Sequence, residues 1–424
     1  MKRLVFLLFL LCTIALAHTF HGAAIAPNTL KGWIVTSDTG FIFYTPDCGL
    51  TWINQSFFTS RYFYDIFFFD EQKGWIGTNQ GFIYYTQNGG TNWVSQAMGL
   101  SYFIYKIFFI DDSCGWAACY RPIIAQTING GNLWQQIILP CPPFVYDSID
   151  IRSISFVDRQ KGWICAGQYI RDDFPYDTCF GGQGYIAKSS DGGLNWQLLL
   201  RDTIYDFFDI KMLDTLNGFV VGGNDRPMSA VVMRTFDGGN TWQNVTIPAQ
   251  AKYLRSLKFV GNHAWAVGHN GTIIHSSNGG NTWSMQTSNV NATLYDVDFS
   301  DTLHGLVAGD SYVLYTHDGG NTWHIANLGI EEESWITPPS VHSSFSIYPN
   351  PARSFFVVRI PSSINSQMLK IFDVSGKLVK EIDSPSAHNG QVADKRVSLK
   401  GIKPGVYFVQ VGNALVKAKL VVTR

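Results

Sequence analysis

Charge is scarce in this sequence. Asp, Glu, Lys and Arg make up 15% of its 424 residues, and aromatic residues another 15%. That balance excludes a disordered chain and suits an all-β protein with a large buried core. Glutamate is scarcer still: residues 18–344 hold it at Glu71, Glu331, Glu332 and Glu333 alone. A catalytic Tyr/Glu pair has therefore little to draw on. Beyond residue 17 no apolar run is long enough to span a membrane, so the mature chain is read as having no membrane span. No Cys-x-x-Cys with a nearby His offers a metal site. There is no Ser-His-Asp arrangement and no phosphate-cradling glycine loop, so neither a metal nor a cofactor is expected. Basic residues are few where a polyanion would need them: residues 18–344 carry 17 basic and 28 acidic side chains, a net of −11. Nucleic acid is excluded as a partner on that ground.

What the sequence does have is repetition. An eight-residue pattern recurs seven times, clearest in Thr316-His317-Asp318-Gly319-Gly320-Asn321-Thr322-Trp323. Its closing tryptophans are Trp52, Trp93, Trp134, Trp196, Trp242, Trp283 and Trp323, spaced 41, 41, 62, 46, 41 and 40 residues apart. A period near 40 made of short strands predicts a β-propeller with one blade per repeat, here seven blades. The third position is always Asp or Asn: Asp47, Asn88, Asn129, Asp191, Asp237, Asn278 and Asp318. Such side chains bond backbone amides close by, and the glycine that follows supplies a positive φ. These positions are read as structural, with the closing tryptophan buried between neighbouring blades.

Each repeat follows one plan, as residues 61–96 show. A first strand reads Tyr64-Asp65-Ile66-Phe67-Phe68-Phe69 and a second Gly74-Trp75-Ile76-Gly77. A third follows at Gly81–Thr86, then the eight-residue pattern and a fourth strand. Blade 1 departs from the plan. Either Ala23–Ala26 supplies its first strand or residues near Trp335 return to close the ring.

The pattern Ser/Thr-x-Asp-x-Gly-x-Thr-Trp resembles the Asp-box, or bacterial neuraminidase repeat. With Gly-Trp about 18 residues upstream (Gly32-Trp33, Gly74-Trp75, Gly115-Trp116, Gly162-Trp163), residues 25–330 are similar to propellers of the photosystem-II stability/assembly-factor type. That resemblance implies a protein-binding scaffold; a photosynthetic role is not carried over. Sialidases share the box but need an Arg-Ile-Pro motif near the propeller's start. Here Arg359-Ile360-Pro361 lies far downstream.

The two ends read as export signals. Met1-Lys2-Arg3, an apolar run and Ala15-Leu16-Ala17 make residues 1–17 a secretory signal peptide. After a propeller over 18–335 and a linker over 336–344, residues 345–424 show alternating strands and a net charge of +8, read as a small immunoglobulin-like β-sandwich. Tyr348-Pro349-Asn350-Pro351, Asp373-Val374-Ser375-Gly376-Lys377, Lys403-Pro404-Gly405-Val406-Tyr407 and Lys419-Leu420-Val421-Val422 resemble the type A C-terminal sorting domain of the type IX secretion system. The resemblance implies the type IX machinery as a partner and a secreted or cell-surface location. Six cysteines remain after residue 17, an even number that favours disulfides in an exported chain. The pair expected first is Cys165–Cys179; Cys119–Cys141 and Cys114–Cys119 stay open.

In a propeller the Asp-box turns lie on one face and the starts of the first strands on the other. Aligning first strands by their distance to Gly-Trp gives a ring of pairs around the central channel: Tyr64-Asp65, Tyr105-Lys106, Arg152-Ser153, Phe208-Asp209, Arg255-Ser256 and Tyr295-Asp296. Tyr64, Tyr105, Lys106, Arg152, Arg255 and Tyr295, with Arg171 and Arg226 from the longer loops, are the candidate ligand-binding residues. The expected function is a monomeric, non-catalytic binding or scaffold module for a surface protein or glycan. The alternative is a polysaccharide-acting glycoside hydrolase using Asp65, Asp209 and Asp296.

Overall fold

The computed structural model describes residues 18–328 apart from 58, 60, 100–101, 140–148, 169–183 and 226. Of the remainder it describes 346–348, 354–360, 368–373, 377–383, 393–411 and 417–422. The expected signal peptide and the expected linker, with Cys141, Cys179, Arg171 and Arg226, lie outside the described residues. The chain divides into two compact units, Met1–Ile330 and Glu331–Arg424.

Among the described residues of the first unit, seven four-stranded antiparallel sheets follow one another in sequence order. Their innermost strands are Phe20–Ile25, Phe63–Phe68, Ile104–Phe109, Ile149–Phe156, Asp206–Met212, Leu254–Val260 and Leu294–Phe299. Each packs on the next, and Leu294–Phe299 packs on Phe20–Ile25, which closes the ring of a β-propeller. Of the two routes open for blade 1, the structure takes the first: Phe20–Ile25 is its innermost strand. Closure involves no exchanged strand. The Ala23 N–H donates to Asp296 Oδ2 at 3.0 Å and the Ile25 N–H to Asp298 Oδ2 at 2.7 Å.

The repeated motifs explain how the blades adhere. In the blade-5 box the Thr241 N–H and hydroxyl donate to the two oxygens of Asp237, at 2.9 and 2.7 Å. The Gly239 N–H donates to the Thr235 hydroxyl at 2.8 Å, and Gly238 and Gly239 have φ of 72° and 89°. These bonds, the Thr241 hydroxyl first, hold the Asp237 carboxyl down to about 2. The turn also presents an acceptor to the preceding blade. Trp163 Nε1 donates to the Gly238 carbonyl at 2.9 Å, and Trp116 reaches Gly192 in the same way at 2.8 Å.

The box tryptophan is buried between blades at three positions, Trp134, Trp283 and Trp323, and half-buried at Trp52, Trp93, Trp196 and Trp242. The deeper wedge is the second-strand indole: Trp33, Trp75, Trp116, Trp163 and Trp265 are fully buried. A phenylalanine ending the next innermost strand lies flat on several of these deep indoles: Phe68 on Trp33 at 3.5 Å, Phe156 on Trp116 at 3.6 Å and Phe299 on Trp265 at 3.7 Å. The box indole then closes on that phenylalanine edge-on, as Trp93 does on Phe68. Glycine precedes the deep indole because Phe68 occupies the space beside it: a Cβ on Gly74 would sit 2.7 Å from the ring.

The second unit holds two sheets. One contains Ser346–Tyr348, Phe355–Ile360 and Ala393–Ser398; the other contains Met368–Asp373, Leu378–Asp383, Gly405–Val411 and Lys417–Val422. Phe356, Val358 and Val397 of the first sheet share one core with Leu369, Ile371, Val409 and Leu420 of the second, as in a sandwich. Motif residues shape its turns. The Lys377 N–H donates to Asp373 Oδ1 at 3.1 Å, and the Tyr407 hydroxyl donates back to the Lys403 carbonyl at 2.8 Å, the pattern of a tyrosine corner.

The expected disulfide is not formed. Cys165 is a free thiol, as are Cys48, Cys114 and Cys119. The reason is orientation. Cys165 sits within the strand Gly162–Gln168 and packs with Trp163, Ile186 and Phe207 between blades 4 and 5. Burial raises its thiol well above the ordinary range and pushes that of Cys119 up to about 12.

Replacing a deep indole should be costly. Trp265→Ala is expected to lower stability by about 3–5 kcal/mol, seen as a lower urea midpoint. Trp52→Ala, at a half-buried box position, should cost less.

Candidate functional site

Every innermost strand of the propeller carries a β-bulge near its start. The extra residue is His21, Tyr64, Tyr105, Arg152, Phe208, Arg255 or Tyr295. A bulge turns two consecutive side chains toward the same side of a strand, and here it builds two rings. The seven bulged residues surround the mouth, and the residues after them (Gly22, Asp65, Lys106, Ser153, Asp209, Ser256, Asp296) lie one layer deeper. The mouth cavity, about 90 Å³, is lined by the bulged residues together with Asp65, Lys106, Asp209, Ser256 and Asp296.

All the candidates within the described residues thus come together: Tyr64, Tyr105, Lys106, Arg152, Arg255, Tyr295 and the three aspartates. His21 joins them and was missed, since blade 1 gave no recognisable first strand to align. Arg152 and Arg255 both approach the Phe208 ring, at 4.5 and 4.1 Å, distances suited to cation–π attraction. Arg152 lies 3.9 Å from Asp150, and its buried Nε has no hydrogen-bond partner among the described residues. The Arg255 Nε–H donates to His269 Nε2 at 3.1 Å. His21 stacks on Tyr295 at 4.8 Å, and its Nδ1 donates to the Tyr64 carbonyl at 2.7 Å. That bond leaves Nε2 as the unprotonated acceptor, and burial lowers the ring's pKa from 6.5 to about 4.

The deeper layer behaves differently. Asp65 accepts from the Ile107 N–H at 2.6 Å, and Asp209 from the Leu257 N–H at 2.8 Å and the Ser153 hydroxyl at 2.5 Å. Asp296 accepts from the Ala23 N–H and, at 2.7 Å, from the Ser256 hydroxyl. Each of the three therefore bonds the backbone of the next blade. Lys106 reaches across the channel, 3.2 Å from Asp65 and 3.5 Å from Asp296. Asp65 and Asp296 are close enough to flank one bond, but an ammonium stands between them and backbone amides hold their other oxygens. Burial, opposed by Lys106 and reinforced by Asp296, pushes the Asp65 carboxyl up from 3.8 to about 7. Burial also raises Asp209. Lys106, facing Asp296, Asp65 and Asp209, is raised well above 10.5 despite its burial.

Fold and mouth together define the class: a β-propeller with a polar, aromatic-walled opening on the face away from its Asp-boxes, joined to a small β-sandwich. Comparison with known proteins narrows it. Residues 346–423 match the family model of the secretion system C-terminal sorting domain. Residues 192–289 and 282–343 match that of the Photosynthesis system II assembly factor YCF48. The chain thus combines a YCF48-like propeller with a type IX sorting domain. A Photosystem II assembly lipoprotein Ycf48 of Synechococcus sp. (strain CC9902) is 29% identical over 92 residues, 21% of this chain. The match spans 26% of that relative's length.

Among solved structures, "YCF48 bound to D1 peptide" superposes with a TM-score of 0.54 at 16% identity, covering 71% of this chain and 93% of its own. The GH74 enzyme of Niastella koreensis superposes with a TM-score of 0.53 at 11% identity, covering 95% of this chain and 72% of the enzyme. Likeness at such identities shows the fold alone.

Two mouth residues should give opposing pH dependences. Asp65 has a raised folded-state pKa, so its contribution to stability is present below about pH 4 and lost as pH rises through about 7. His21 has a lowered one, so its contribution is present above 6.5 and lost as pH falls through about 4. Asp65→Asn is therefore expected to steepen the gain in urea midpoint between about pH 4.5 and about pH 7, and His21→Gln to flatten or invert it. Carboxylates depressed by the boxes act below this window.

Proposed function

We propose that the mature chain is a non-catalytic binding module, delivered by type IX secretion to the cell surface or beyond it, whose mouth ring takes a protein or glycan ligand. The observation that carries this reading is the division of labour between the two rings. The deeper carboxylates are committed to backbone amides and to Lys106, whereas the bulged residues bring aromatic rings, two guanidiniums and the His21 imidazole to the wall of the opening. Rings and forked donors side by side suit an extended peptide or a sugar chain, each of which offers apolar faces edged with polar groups. A propeller of the same fold has been solved bound to a peptide, which supports the protein arm. The net negative charge of residues 18–344 argues against nucleic acid here as well.

The hydrolase reading keeps one specific support, the proximity of Asp65 and Asp296 with one pKa raised toward neutrality. One experiment separates the two. The full mature chain is incubated with a panel of polysaccharides and cell-surface protein extracts, and both retention and new reducing ends are scored. Retention without products, weakened about tenfold or more by Arg152→Ala or Arg255→Ala, is expected. Reducing ends that vanish in Asp65→Asn or Asp296→Asn would make the protein an enzyme instead. For export, the surface species should begin at His18, and a chain ending before residue 345 should accumulate inside the outer membrane. Surface delivery of the truncated chain would refute the sorting role.

A further inference from the structure

Beneath the Lys106 bridge the channel continues as a second chamber of about 330 Å³. The innermost strands run from the mouth toward the Asp-box end, so this chamber lies on the opposite side of the bridge from the ring described above. Side chains alternate along a strand, and the layer two residues beyond the bridge brings Phe67, Phe108, Lys211, Lys258 and Asp298 to its wall. Two of these are cationic and one is anionic; Asp65, Asp209 and Asp296 of the layer above also line the chamber, together with Lys106. Asp298 is engaged by Lys258 at 2.5 Å, by the Ile25 N–H at 2.7 Å and by the Phe299 N–H at 3.0 Å. Lys211 has no ion pair among the described residues; its ammonium lies 5.6 Å from the Phe108 ring centre.

The carboxylate one layer up, Asp209, already accepts the Ser153 hydroxyl and the Leu257 N–H. Burial first, and Lys258 second, lower the Lys211 pKa from 10.5 to about 8, which leaves the amine mostly protonated at neutral pH. An enclosed cation with a second cation beside it, an aromatic wall opposite and open volume in front is an arrangement that a counter-ion stabilises.

We propose that this lower chamber binds a small oxyanion, held between the ammoniums of Lys211 and Lys258. The site is independent of the mouth reading and lies beyond the Lys106 bridge from it. A phosphate, sulfate or carboxylate group supplies the charge that the layer lacks, and its oxygens can accept from both lysines at once. Phe67 and Phe108 offer no competing acceptor and limit the water that could screen the pair.

The test uses the full mature chain, titrated calorimetrically with inorganic phosphate, sulfate or acetate near pH 7 at constant ionic strength set with chloride. Saturable binding of one anion per chain is expected, weakened about tenfold or more in Lys211→Met and largely kept in Lys211→Arg. Arg255→Ala, on the other side of the bridge, should bind as the wild type does. Should Lys211→Met fail to fold, Lys258→Met gives the same readout. Absence of saturable heat in the millimolar range would overturn the proposal. So would anion binding that survives loss of either lysine, or that disappears in Arg255→Ala.

Discussion

Among the described residues no strand ladder is shared between blades; one backbone bridge, Thr19 with Asp310, joins the first blade to the last, and the Ser311 N–H donates to the His18 carbonyl at 2.9 Å. Otherwise cohesion between blades depends mainly on side chains, and two devices supply it at different radii. Farther out, a deep indole of one blade lies flat on a ring from the next, as Trp33 does on Phe68, and burial of those rings supplies the apolar part of the adhesion. At the channel, carboxylates and serines reach a backbone N–H of the following blade: Asp65 to Ile107, Asp209 to Leu257, Asp296 to Ala23 and Ser155 to Met212. The ring closes by the same inner device that joins consecutive blades, with the Thr19–Asp310 bridge beside it, and its first and last sheets share no strand.

That solution decides where chemistry is available. The carboxylates nearest the axis are buried and act as fasteners, and their accumulated charge is answered by a single lysine spanning the channel. Lys106 thereby divides the interior into a mouth and a lower chamber. Above it, the bulged residues form a ring of aromatic and basic side chains, of which His21 also bonds the Tyr64 carbonyl of the next blade. Below it, the balance of charge reverses locally, because Lys211 and Lys258 face a single Asp298. Polar composition alone would not separate these environments; the stacking of layers along the strands does.

Much of this was legible in the sequence because the propeller repeats its geometry. A first strand at nearly constant distance from the Gly-Trp position puts the bulge at nearly constant distance too, so alignment on that position, with a one-residue shift at Arg255, yields six of the seven mouth positions. The seventh, His21, was obscured by the residues after it. Gly22, Ala23 and Ala24 carry no strand signature, and they are small where blade 2 comes close: a Cβ on Gly22 would lie 3.1 Å from the Asp65 Cα. The box tryptophan was assigned a wedge role that it shares with the deeper second-strand indole, since both recur with the same period. Cys165 looked like a loop staple by spacing, but alternation along its strand turns it into the blade interface.

The sequence by itself determined the repeat, the turn chemistry of its boxes, the export domain and the ring of side chains at the channel's upper end. Each of these follows from local conformation or from a spacing, and such information is carried within a few tens of residues. The tertiary structure alone decided which side chains at that end fasten one blade to another. Asp296 and Ala23 are separated by almost the whole propeller in sequence, and so are Asp298 and Ile25; Lys106 meets Asp65 and Asp296 only once the ring has closed. Whether a buried carboxylate is a fastener or a reactive group depends on what fills its hydrogen-bonding positions, and those partners come from blades that the chain brings together last.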